Sequence, residues 1–296
     1  MRLATERWTV LRVLEWTQKY LSKKGIPNPR LESELLLAHI LEFDRVRLYL
    51  NYDMTLSSSE LARFRGFIER RVKGEPLPYI TGYQEFWSFR FKVNPSVLIP
   101  RPETEILVEH ALRLIDLEGW QIPRILEVGT GCGAVAISIA KSAPSAKILA
   151  TEISWEAIAL AKENAIAQNV ASRVCLVQGD LLSFATSRGG GVFDLVLSNP
   201  PYVRKDDIEN LQSEIRDFEP RKALDGGIDG LDFYRSLLIS VPLHLGQGGW
   251  LILEIGADQG ADILDLTGQI GGFKHTRIIP DYAGRNRALV AQKESA

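Results

Sequence analysis

The sequence predicts an α/β protein in which a doubly wound, mostly parallel seven-stranded sheet follows a small helical domain. Three observations predict it. From residue 103 onward, short apolar runs alternate with stretches of helical periodicity, the pattern of successive βαβ units. A glycine-rich turn directly follows the first of those runs. In the first eighty residues, by contrast, apolar positions recur at helical spacing.

Taken in order, Trp8, Leu11, Leu14, Trp16 and Leu21 predict one helix, and Leu31, Leu35, Leu36, Ala38, His39 and Leu41 a second. Ser57-Ser58-Ser59-Glu60 predicts the capped start of a third, closed by Gly74 and Pro76. Residues 1–75 therefore read as a helical domain. From 76 to 102 an aromatic, partly alternating stretch containing Tyr83, Phe86, Trp87, Phe89 and Phe91 predicts a short β-hairpin linking two domains. Residues 103–296 then read as a helix at 103–117, followed by strands at 124–129, 147–153, 174–180, 192–199, 250–255, 273–280 and 287–292. Helices are expected at 134–141, 155–168, 231–243 and 257–270. The last two strands, with no helix between them, predict an antiparallel pair. Gly189-Gly190-Gly191 reads as a surface turn, and Gly246-Gln247-Gly248-Gly249 as a turn before a buried strand.

Composition narrows the function. The formal net charge of −2 argues against a protein that coats nucleic acid. Two cysteines, Cys132 and Cys175, make neither a disulfide scaffold nor a metal site, and a cytoplasmic protein is expected. The uncharged window Ser236–Leu253 is long enough to raise a membrane question, but Pro242 and its glycines read as helix, turn and strand. Through residue 84 there are 14 Lys/Arg against 10 Asp/Glu, so the remainder of the chain carries a net −6. That asymmetry reads first as a solvated helical surface and second as a docking face for a partner.

The chemistry is carried by two motifs. The first strand runs into Glu127-Val128-Gly129-Thr130-Gly131-Cys132-Gly133-Ala134. Such glycines let the backbone turn sharply beside a ligand at the carboxyl edge of a sheet. The spacing also satisfies a dinucleotide fingerprint, which asks for an acid about 20 residues on, and Glu152 meets that. Its carboxylate is expected to accept from both ribose hydroxyls. Glu127 discriminates between the two cofactors. Negative charge beside the loop favours the sulfonium and ammonium of S-adenosyl-L-methionine and repels a pyrophosphate. Asp180, ending the third strand, is placed to accept from an adenine amino group, with Leu181 against the ring. Cys132 has no histidine nearby in sequence to activate it, and the four histidines build no metal site.

The second motif is Ser198-Asn199-Pro200-Pro201-Tyr202, after the fourth strand and at the edge opposite the glycine loop. Prolines end a strand in any case; that explains neither Asn199 nor Tyr202. An amide nitrogen is a poor nucleophile with two N–H donors. The Asn199 side-chain oxygen and the Pro200 carbonyl offer two acceptors, Pro200 and Pro201 remove competing donors, and Tyr202 offers a flat face. Catalysis would then rest on aiming the nitrogen along the S–CH₃ bond, without a metal or a covalent intermediate.

Asn-Pro-Pro-Tyr after such a loop resembles class I (Rossmann-like) methyltransferases acting on planar nitrogens. Further runs resemble the HemK/PrmC family of peptide chain release factor N5-glutamine methyltransferases: Pro78-Tyr79-Ile80-Thr81-Gly82, Leu98-Ile99-Pro100-Arg101-Pro102-Glu103-Thr104-Glu105, and Ala223-Leu224-Asp225-Gly226-Gly227 with Asp229-Gly230-Leu231-Asp232-Phe233-Tyr234. The resemblance implies a release factor as partner, modified at the glutamine of its Gly-Gly-Gln loop. It also implies Leu98 against the adenine. A monomer is expected, with no direct nucleic-acid or membrane partner. Two alternatives stand beside it, a DNA adenine-N6 methyltransferase and a non-catalytic binding protein of the same fold.

Overall fold

The computed structural model describes residues 7–182 and 192–294; the Gly189-Gly190-Gly191 turn lies outside them. The chain forms two compact units. One runs up to Gly82 and takes in Ser213–Phe218, and the other comprises Tyr83–Gln212 and the chain from Glu219. The division thus falls at Gly82, and the hairpin belongs to the second unit rather than standing between the two.

The helices are α1 (Val10–Lys23), α2 (Pro29–Leu41), α3 (Arg45–Leu50), α4 (Ser58–Val72), α5 (Leu77–Thr81), α6 (Glu105–Leu117), α7 (Ala134–Ser142), α8 (Trp155–Ala167), α9 (Ser213–Phe218), α10 (Asp232–His244) and α11 (Gly260–Ile270). The strands are β1 (Tyr83–Phe86), β2 (Phe89–Lys92), β3 (Arg124–Val128), β4 (Lys147–Glu152), β5 (Val174–Gln178), β6 (Phe193–Ser198), β7 (Leu245–Glu254), β8 (Phe273–Pro280) and β9 (Asn286–Lys293). No described helix is long and apolar enough to cross a membrane.

In the first unit the helix starts are written in side chains. Thr9 caps α1, Asp44 caps α3, and Ser57 with Glu60 forms a reciprocal capping box on α4. The core gathers Val10, Val13, Leu14, Leu21, Leu36, Leu37, Phe64 and Ile68. The sequence pattern misplaces the buried face of α1. Leu11 and Trp16 are exposed, Trp16 by 52%, while Thr17 is buried. Both sets of positions satisfy a helical period, and only packing against α2 and α4 chooses between them. Trp16 instead stacks on Tyr20 at 5.1 Å. Two buried charges sit here: Arg71 of α4 pairs with Glu32 of α2 and Glu214 of α9, and Glu34 of α2 pairs with Arg30 and Arg45. Losing both of its acids would strand the buried Arg71 cation, a far larger cost than the pairing contributes when intact.

The second unit opens with the β1–β2 hairpin, whose two turn residues, Trp87 and Ser88, both adopt positive φ (51° and 61°). That is the turn sense that matches strand twist, here without glycine. The seven-stranded sheet has the order β5-β4-β3-β6-β7-β9-β8, with β9 antiparallel to both neighbours and the other pairings parallel. Strand order reverses between β3 and β6, the crevice where open α/β sheets bind ligands. Two strand boundaries differ from the sequence reading by more than one residue. β5 stops at Gln178, so Asp180 lies two residues beyond its end. β7 begins at Leu245 and runs through the glycines read as a turn. An irregularity in register between Phe193 and Leu195 absorbs them without breaking the strand.

Candidate active site

Register decides what meets what. Val128 of β3 is level with Thr151 of β4 on one side and with Ser198 of β6 on the other. Gly129 and Asn199 therefore leave adjacent parallel strands on the same edge, not on opposite edges. A cavity of about 980 Å³ opens there. Leu98, Glu127, Gly129, Thr130, Gly131, Cys132, Glu152, Asp180, Leu181, Asn199, Pro200 and Pro201 all line it. Two residues singled out from the sequence do not, Gly133 and Tyr202.

The glycine loop is tied down on its inner side. The Gly129 and Thr130 amides both donate to the Thr151 carbonyl at 2.9 Å. Gly129 and Gly131 take φ of 75° and 55°, and a methyl group on either would meet open space rather than protein, so the loop leaves its outer face free. Gly133 has a different task. It precedes α7 in a left-handed conformation, and a Cβ there would come within 2.7 Å of Ile137 Cδ1. Glu152 accepts from the Gly131 amide at 3.0 Å and from the Ile153 and Ser154 amides at 2.9 and 3.1 Å. Glu127 is buried, accepting from the Thr130 hydroxyl at 2.6 Å and the Ala136 amide at 3.1 Å. Burial, outweighing those bonds, pushes its carboxyl up to about 8. Burial likewise pushes the Cys132 thiol up to about 12, which removes it as a nucleophile.

The second rim is built from β6. The Ser198 hydroxyl donates to the Val128 carbonyl at 2.8 Å, joining the two rims. The Asn199 Nδ2 donates to the Thr104 hydroxyl at 3.2 Å, which sets the direction of the amide. Among the described residues no donor reaches Asn199 Oδ1. Tyr202 points elsewhere. Its ring packs against the core cluster of β7, α10 and α11, and its hydroxyl stands 3.4 Å from Glu254 Oε1. Two aromatic side chains do line the cavity, Trp155 and Phe233.

Several positioning groups were not singled out from the sequence. Glu219 is buried, accepts from the Ile99 amide at 3.2 Å and pairs with Arg101, and so holds the segment that carries Leu98. Gln259 donates to the carbonyls of Tyr202 and Gly230 at 3.1 and 3.3 Å. The run 226–230 presses on the backbone behind the motif. A Cβ on Gly226 would lie 2.8 Å from Tyr202 Cα, and one on Gly230 2.6 Å from the Tyr202 carbonyl oxygen. A short strand ending in an acid is a legible signal for Glu254, the same one that marks Glu127. Thr104 lies in the run 98–105 that carries the family resemblance, and nothing local marks Gln259.

Comparison with known proteins supplies the family. Residues 12–82 match the PrmC N-terminal domain, and residues 103–217 match the methyltransferase small domain. The chain is 47% identical over 266 residues to the release factor glutamine methyltransferase of Geobacter sulfurreducens, covering 90% of each protein. This chain belongs to the release factor glutamine methyltransferase family. The counterpart from Moorella thermoacetica is 43% identical over 96% of this chain and 99% of its own length. Among solved structures, the N-terminal domain of human METTL16 in complex with SAH is 16% identical, covering 80% of this chain and 84% of that one, with a TM-score of 0.51. That likeness shows the fold alone. Family members therefore share with this chain both the helical region and the sheet that carries the cavity.

Proposed function

We propose that this protein transfers a methyl group from S-adenosylmethionine to the side-chain amide nitrogen of the glutamine in the Gly-Gly-Gln loop of peptide chain release factors. The observation that carries this is the convergence of the glycine loop and Asn199-Pro200-Pro201 in one cavity, with the Asn199 oxygen free to accept. The donor set suits a cationic nucleoside: carboxyl groups at Glu127, Glu152 and Asp180, apolar faces at Leu98 and Leu181, and a loop face open to close approach. When bound, that cofactor supplies an electrophilic methyl group.

Glu152 would hold the ribose. Three of its roughly four acceptor positions already serve backbone amides, which leaves one for a hydroxyl rather than the two read from the sequence. Asp180 would take the adenine amino group, with Leu98 and Leu181 against the ring. Glu127 would return to its charged form beside the cation. For the substrate, Asn199 Oδ1 and the Pro200 carbonyl accept the two amide N–H groups and fix the nitrogen's orientation. Phe233 and Trp155, not Tyr202, are the aromatic side chains on the wall of this cavity. Charge favours a protein over DNA. The chain beyond residue 84 is net −6, whereas duplex binding draws on phosphate neutralisation, and an adenine must also be flipped out. The net +4 of the first 84 residues supports the helical region as a docking surface for the release factor. Such a substrate places the enzyme in the cytoplasm.

Incubation with methyl-labelled cofactor and purified release factor, followed by peptide mass mapping, tests this. Label on the loop glutamine, and none in duplex DNA at matched low salt, is the expected result. Label in N6-methyladenine at a similar rate would overturn it.

A further inference from the structure

Asparagine is a poor helix former, yet Asn164 stands inside α8 with only 1% of its surface exposed. Its side chain explains the choice. The Oδ1 accepts from the Lys92 amide at 2.8 Å, and the Nδ2 donates to the Lys92 carbonyl at 3.0 Å. Lys92 ends β2, whose other side is paired with β1, so this amide closes the open edge of the hairpin as a further strand would. The second Nδ2 proton goes to the Cys132 carbonyl at 2.9 Å, in the glycine loop. All three bonds run to backbone.

Those two backbones lead to two walls of one cavity. Cys132 lines it together with Gly129, Thr130 and Gly131. From Lys92 the chain runs on to Ser96, Val97 and Leu98, which line it as well. That connection is short and pinned. Asn94 Oδ1 accepts from the Ser96 amide at 2.9 Å, and the Asn94 carbonyl accepts from the Val97 amide at 3.2 Å. The ties described above hold the glycine loop to β4, whereas Asn164 holds it to α8 and the hairpin. Asn164 itself is not among the lining residues.

We propose that Asn164 is a positioning residue for the cofactor, fixing the glycine loop relative to the segment that carries Leu98 without touching the ligand. This rests on the function proposed above, in which both walls meet S-adenosylmethionine. Burial makes the link exacting, because a side chain that no longer donates leaves a buried carbonyl unsatisfied. Gln168 supplies the contrast. Its Nε2 donates to the Arg90 carbonyl of the same hairpin at 2.9 Å, and among the described residues its side chain makes no bond to the glycine loop.

Two variants separate the loop link from simple anchoring of the hairpin. Asn164→Asp keeps an acceptor for the Lys92 amide but replaces both donated protons with lone pairs. Its dissociation constant for S-adenosylmethionine, by calorimetry, should rise about tenfold, the scale of one or two lost hydrogen bonds. Turnover at saturating cofactor and KM for release factor should stay close to wild type. Gln168→Ala should bind the cofactor as wild type does. A merely structural role would instead reduce the folded fraction, lowering apparent kcat with the dissociation constant unchanged.

A second measurement needs neither cofactor nor substrate. Cys132 is buried and Cys175 exposed, so in proteins that all carry Cys175→Ser the only thiol is the one in the glycine loop. Well below the unfolding temperature, a thiol reagent should label Cys132 about tenfold faster in Asn164→Asp than in wild type, and no faster in Gln168→Ala. Should Asn164→Asp fail to fold, Asn164→Ala, which buries no charge, decides by the same two measurements. Wild-type cofactor affinity or wild-type Cys132 labelling in a folded Asn164 variant overturns the proposal, as does an equal loss in Gln168→Ala. A wild-type protein that binds no S-adenosylmethionine would sink the functional reading instead, leaving the labelling test intact.

Discussion

Two buried glutamates end neighbouring parts of the same sheet, and they are treated differently. Glu127, on β3, lines the cavity, has its accepting oxygen satisfied by Thr130 and Ala136, and is pushed up to about 8. Glu254, on β7, faces the back of the Asn199–Tyr202 motif, has one oxygen without a partner, and is pushed up to about 7. In both, burial is the largest cause of the rise. The difference lies in what each carboxyl can reach. One lines the cavity in which the proposed cofactor's charge would lie, and the other lies behind it against the Tyr202 hydroxyl. A buried acid at a strand end is therefore not one kind of feature, and the rim it serves decides its task.

The sharpest way to break this division is Asn199→Ala. It should reduce turnover by about 10²-fold or more, as for removal of one positioned polar contact, while calorimetry shows cofactor affinity nearly unchanged. Comparable activity at saturating substrate would remove Asn199 from the substrate rim.

Glu127 gives the next largest effect, on stability. Its folded-state pKa of about 8 lies above the ordinary 4.5 of a glutamate, so the unfolded chain ionises first as pH rises. The folded state then loses stability progressively between about 4.5 and 8, on the order of a few kcal/mol in all. Glu127→Gln should flatten that decline, making the variant more stable than wild type at pH 8. Equal thermal midpoints of the two proteins at pH 5 and at pH 8 would show that the carboxyl is not held neutral.

Glu152→Ala should act on the cofactor rim alone. One charged hydrogen bond to a hydroxyl is worth about 1.5–3 kcal/mol, so the dissociation constant should rise at least tenfold with little change in kcat. An unchanged constant would mean that the ribose is held elsewhere.

The smallest effect is expected outside both rims. Ser57→Ala removes half of the capping box of α4 and should cost about 1 kcal/mol in denaturant unfolding. Methyl transfer from the folded enzyme should be unaffected, and a loss of kcat here would tie this helix start to the chemistry.

The sequence by itself determined the periodic and the punctuated parts of this protein. Alternating apolar runs gave the seven strands, Ser57 and Glu60 the start of α4, and the spacing of Gly129, Gly131 and Glu152 one rim of the cavity, the rim proposed for the cofactor. Asn199-Pro200-Pro201 named the second rim of the cavity, which Tyr202, read from the same motif, does not line. These are local signals, legible because backbone geometry and capping depend on residues a few positions apart. Tertiary structure alone decided which side of α1 is buried, since Leu11 and Val10 satisfy the same period. It alone drew β7 through its glycines, which a register shift against β6 between Phe193 and Leu195 accommodates. And it alone joined Thr104, Asn199, Tyr202 and Glu254, which lie up to 150 residues apart. Parallel strand order sets that meeting, and no local pattern records which strand will lie beside which.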